Sequence, residues 1–155
     1  MKNYPLREEY TAYHEAGHVV SLLVNGEKFK HVTIIPDDNS NGHVHMKSQT
    51  MRRMVFFELL CCGGVAERLH AGASAEFLHF GISDDVQVMA GGLSEWKRKT
   101  GELFEVEDQW DMFVDMAEIV LGENWMLVCA VANALLKRKT LTYSECLAIK
   151  KRTGV

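Results

Sequence analysis

The chain has 155 residues, 47% of them hydrophobic and 25% charged, with a formal net charge of -4. That length suits one domain, residues 1–155, with a sizeable core, and the acidic balance gives no basis for nucleic-acid binding. No membrane-spanning helix is expected: it needs about 20 apolar residues, whereas Met126–Leu136 is far shorter and Glu58 interrupts Met54–Ala66.

The polar start, Met1 to Tyr10, is not a signal peptide. Glu9 to Val24 reads as a helix with a broad apolar stripe, and Asn25-Gly26 is its stop signal. Within it lies Thr11-Ala-Tyr-His-Glu-Ala-Gly-His18, which contains the H-E-x-x-H pattern. His14 and His18 are one helical turn apart and project from one face, so two imidazoles can share a tetrahedral zinc ion. Glu15 lies next to that face, placed to act as general base towards a water held there. The plain alternative is a solvated helix with two surface histidines and an exposed glutamate. The apolar neighbours Ala12, Tyr13, Ala16, Val19 and Val20 argue against it, because polar groups in such surroundings need partners.

Two short runs follow, Lys30 to Ile35 and Gly42 to Lys47, separated by the turn signal Pro36–Gly42. They predict a two-stranded β-ribbon as the only sheet. On its second strand His43 and His45 alternate and share a face. They offer either a metal site, a group that polarises a substrate carbonyl, or simply an exposed ribbon face, the last being the commoner use of such a pair. His31, His70 and His79 have no partner suggested by spacing and read as structural or exposed. Gln49 to Ala71 is a long amphipathic segment whose Gly63-Gly64 signals close approach by another element. Glu67 in it reads either as a residue orienting a ligand histidine or as a salt-bridged or solvated side chain.

Ser83 to Thr100 is the next helix, with Ser83 as N-cap and Asp84 and Asp85 in its first turn. A catalytic zinc usually has three protein ligands, and these two aspartates are the candidates for the third. Spacing does not choose between them, and either also suits the helix dipole. Glu107 to Leu121 and Glu123 to Lys139 are helices split near Gly122. A final helix opens on the capping box Thr142-Tyr-Ser-Glu145, with Leu141 stapling its start. Ala71 to Ile82 and Gly101 to Val106 are connections. The basic groups Lys97-Arg98-Lys99 and Lys137-Arg138-Lys139 sit at helix ends, as dipole partners and solvated faces. Cys61, Cys62, Cys129 and Cys146 form no C-x-x-C pair and read as buried reduced thiols of a cytoplasmic protein. The fold class expected is all-α, a helical array with one small two-stranded ribbon.

These segments together resemble the protease domain of the FtsH family, the ATP-dependent zinc metalloproteases. Besides the helix with His14, Glu15 and His18, the matching pieces are Val32-Thr-Ile-Ile-Pro36, Gly63-Gly-Val-Ala-Glu67, Ser83-Asp-Asp-Val86 and Leu135-Leu-Lys-Arg-Lys-Thr-Leu141. They occur in order over about Glu9 to Lys150. The resemblance implies Zn²⁺ as cofactor, His14 and His18 as ligands, Glu15 as catalytic base, and Asp85 rather than Asp84 as third ligand. It also implies an extended polypeptide substrate held beside Gly42 to Met46 on the ribbon edge. Members of that family carry a transmembrane segment and an AAA ATPase, and the sequence here contains no G-x-x-x-x-G-K-[ST] loop. The function expected is therefore a zinc metalloendopeptidase acting on unfolded or flexible polypeptides, alone or with a separate AAA ATPase. The rival readings are a non-catalytic module that keeps the fold and binds a metal or a partner protein, and a zinc hydrolase of some other amide. The family assembles into six-fold rings, which makes a homo-oligomer one expectation, although no heptad seam supports it.

Overall fold

The computed structural model describes residues 4–46, 51–72, 82–102 and 105–154, and within these leaves aside the side chains of 4–6, 82–87, 89, 90, 106 and 107. The described elements, in chain order, are α1 (Tyr4–Val24), β1 (Phe29–Thr33), β2 (His43–Met46), α2 (Arg53–Ala71), α3 (Ile82–Thr100), α4 (Val106–Glu123), α5 (Trp125–Arg138), β3 (Thr140–Thr142) and α6 (Tyr143–Thr153).

α1 is the centre of the molecule. From Tyr10 to Leu23 only His18 escapes full burial, so this is a core helix rather than an amphipathic surface one. It packs against α2 on one side and α5 on another, and α2 in turn packs against α4. Gly17 sets the crossing with α2. A Cβ there would run into the Cys62 carbonyl oxygen and come within 2.8 Å of the Ala66 Cβ. Only a glycine lets the two backbones approach this closely. α1 ends as expected at Asn25-Gly26, with Gly26 at φ 72° and the Glu27 N–H donating to the Leu22 carbonyl. Glu58, buried in α2, accepts from the Ser21 hydroxyl at 3.1 Å and from Asn25 Nδ2 at 3.3 Å. This satisfies a carboxylate that would otherwise be costly inside the core.

The sheet differs from the expected ribbon. Among the described residues it has three antiparallel strands in the order β2-β1-β3, because Thr140–Thr142 pairs with β1. The reversal into β3 follows from Lys139, which ends α5 at φ 70°. Its carbonyl accepts from the Ile34 N–H at 2.9 Å, and the Thr33 and Thr140 hydroxyls meet at 2.8 Å. Leu141, read as a staple, is fully buried as the middle residue of this strand. The capping box forms as expected, with Thr142 Oγ1 accepting from the Glu145 N–H and the Glu145 carboxylate accepting from the Thr142 N–H. α3 begins at Ile82, so Ser83 lies inside the helix and not at its cap. The cysteines form no disulfide among the described residues, with Cys61, Cys62 and Cys146 buried and Cys129 half-buried. No single described helix is long and apolar enough to cross a membrane.

Candidate metal centre

One cleft of about 590 Å³ runs along α1. Its floor carries Thr11, His14, Glu15 and His18; α2 contributes Phe56, Leu59, Leu60 and Glu67; β2 and the turn before it supply Gly42, His43, Val44 and Met46. The solvated-helix reading is therefore overturned, since His14 and Glu15 are each 5% exposed.

The two imidazoles are aimed at each other. His18 Nδ1 lies 2.9 Å from the Leu59 carbonyl oxygen. A carbonyl only accepts, so this nitrogen carries the proton and Nε2 presents a lone pair when the ring is neutral. His14 Nδ1 lies 2.6 Å from Glu67 Oε1 and donates to that oxygen when the carboxyl is ionised. Both Nε2 atoms thus point into one space, 3.1 Å apart. Two lone pairs facing each other at this distance repel, and a shared proton or a bound metal ion relieves the repulsion. Two nitrogens bound to one tetrahedral zinc are about 3.3 Å apart, given zinc–nitrogen bonds of about 2.0–2.1 Å.

Gly63 keeps that space open. A Cβ on it would lie 2.5 Å from both Nε2 atoms and 2.6 Å from His14 Cε1. The expected close approach at the glycine pair is thus an approach to the histidines themselves. Glu67, 1% exposed, is neither solvated nor a surface salt bridge. Its Oε1 holds His14, and its Oε2 is buried without a hydrogen-bond partner among the described residues. Burial pushes the Glu67 carboxyl above its ordinary range, opposed by the hydrogen bond from His14. A cation bound on the far side of the imidazole would favour the ionised form. Donor type, ring orientation, spacing and the glycine gap fit a zinc ion, which His14 and His18 would hold while Glu67 fixes the His14 ring.

Asp84 and Asp85 lie on the first turn of α3, and their side chains fall outside the described residues. His79 also lies outside them. His70 is structural: its ring stacks on Tyr13 at 3.7 Å between centroids and lies 3.1 Å from Glu9 Oε2. His31 does have ring partners, contrary to the reading from spacing. It stacks on His45 and lies near His43, because β1 and β2 place His31 opposite His45. Burial, followed by His45, His43 and Lys30, lowers the His31 pKa below its ordinary range.

No protein-family model matches the chain. The chain is similar to the ATP-dependent zinc metalloprotease FtsH of Lachnoclostridium phytofermentans, with 29% identity over 160 residues. The alignment covers 84% of this chain and 27% of that relative, so the chain spans about a quarter of the relative's length.

Proposed function

We propose that this chain is a zinc-dependent metalloendopeptidase that hydrolyses peptide bonds in unfolded or flexible polypeptides. The observation that carries the reading is the pair of Nε2 atoms facing each other at 3.1 Å, each ring fixed through Nδ1 by a buried acceptor. Similarity to a zinc metalloprotease supports it independently.

His14 and His18 would hold the ion, with Asp85 as third protein ligand by resemblance of Ser83–Val86 to the family segment. Bound zinc supplies a Lewis acid that lowers the pKa of a water towards about 7 and polarises a carbonyl. Glu15, on the cleft floor between the two ligands in sequence, takes the proton of the attacking water and returns it to the leaving amine. Glu67 holds the His14 ring in the orientation that points Nε2 into the cleft, towards His18 Nε2. β2 is an edge strand among the described residues, and Gly42, His43, Val44 and Met46 line the cleft. An extended peptide added to that edge pairs through its backbone, which gives affinity with little sequence preference. A separate AAA ATPase would deliver folded substrates to the same edge.

The test is casein cleavage by wild type and Glu15→Gln at equal zinc content. The amide keeps the shape and removes the base, so turnover falls by about 10²–10⁴ while the metal stays. Equal turnover in the two proteins would remove Glu15 from the chemistry. No turnover in either would favour the non-catalytic module.

A further inference from the structure

The outer face of the sheet carries a second group of imidazoles that the proposed reaction does not use. Strand alternation alone would put Phe29 and His31 on one face. The register shifts between them, which leaves Phe29 in the core and His31 half-buried on the opposite side. There His31 sits opposite His45, and Thr33 opposite His43. His43 and His45, two apart on β2, therefore flank His31 on one surface.

One ring nitrogen from each of the three histidines lies within 4.8 Å of the other two. The His31 and His45 rings stack 5.0 Å apart with 11° between their planes, and the His43 ring lies 6.1 Å from His31 and 6.3 Å from His45. Asp37 Oδ2 is 3.8 Å from His43 Nδ1, a negative charge beside the cluster that favours a cation there. We propose that His31, His43 and His45 form a second metal site, which takes a divalent first-row ion of imidazole preference, zinc foremost. Imidazole donors suit zinc, copper and nickel and not the oxygen-seeking magnesium or calcium. Nitrogens on one zinc are about 3.3 Å apart, so the rings need to close by about 1.5 Å at most. Side chains that are half-buried or exposed make that adjustment by rotation about χ1 and χ2. The ion would tie edge strand β2 to β1 and fix His43, which also lines the cleft. The ion at this site is thus a clamp on the strand edge that faces the substrate.

The site is tested by zinc titration of tag-free protein against a chromophoric chelator, comparing wild type with His45→Gln, His31→Gln and His14→Ala. Wild type is expected to bind two equivalents, and each of the three variants one. His45 is exposed, so His45→Gln keeps the fold, and its circular dichroism melt verifies this. A wild type with one zinc, lost in His14→Ala and kept in both glutamine variants, overturns the second site and leaves the peptidase reading intact. One zinc lost in His45→Gln and kept in His14→Ala supports the second site and removes the first.

Discussion

Gly63→Ala is the substitution with the sharpest expected outcome. The new methyl would lie 2.5 Å from both His14 Nε2 and His18 Nε2. Ordinary contact lies at about 3.5–4.0 Å, so each ring must retreat by about 1 Å. Neither is free to do so, because Glu67 holds one at 2.6 Å and the Leu59 carbonyl the other at 2.9 Å. Overpacking of this kind costs about 1–3 kcal/mol, and a strained or lost charge-assisted hydrogen bond adds about 1.5–3 kcal/mol. Better helix propensity of alanine returns about 1 kcal/mol. The net expectation is about 2–5 kcal/mol of destabilisation, and a loss of zinc at His14 and His18, since the methyl fills the space between their nitrogens. Gly91→Ala is the control: among the described residues nothing lies within 4 Å of a Cβ placed there, on the same kind of helix. It should gain up to about 1 kcal/mol from propensity alone. Urea unfolding and zinc titration of the two variants give the comparison. If Gly63→Ala unfolds at the same urea concentration as Gly91→Ala and binds zinc like wild type, the gap between the histidines is not a metal cradle.

Other consequences follow from the same geometry. Glu67→Gln replaces the acceptor of the His14 Nδ1 proton with an amide, and zinc affinity should fall about 10–100-fold, measured by chelator competition. Gly17→Ala meets backbone rather than a side-chain tip, at the Cys62 carbonyl, so its melting temperature should fall well below that of Gly91→Ala. Burial pushes the Cys146 thiol up to about 12 and raises that of Cys62 above the ordinary thiol range. Thiolate is the reactive form, so in native protein at pH 8 a thiol reagent should modify the half-buried Cys129 first, and Cys62 and Cys146 only on unfolding. Mass mapping of early modification checks this.

The cleft position of His14, Glu15 and His18 in the candidate site was legible because its signals are local. H-E-x-x-H needs only one helical turn, and the glycine pair and the capping box act within a few residues of themselves. What escaped depends on distant pairing. β3 is three residues long, too short to show alternation, and it is a strand only because β1 lies beside it. His31 gained its partners through a register irregularity that no spacing rule reveals. Glu67 is 53 residues from His14, so its two readings could be separated only once α1 and α2 were seen to cross. The choice between Asp84 and Asp85 still rests on resemblance, since their side chains lie outside the described residues.

The most direct measurement is the zinc content of tag-free protein in a His45→Gln background, with and without His14→Ala, after zinc addition and dialysis. That background removes a histidine of the outer cluster and leaves the cleft intact. The account expects about one zinc per chain, lost when His14 is replaced. One zinc retained without His14, or none bound in the background protein itself, would contradict a metal centre on α1.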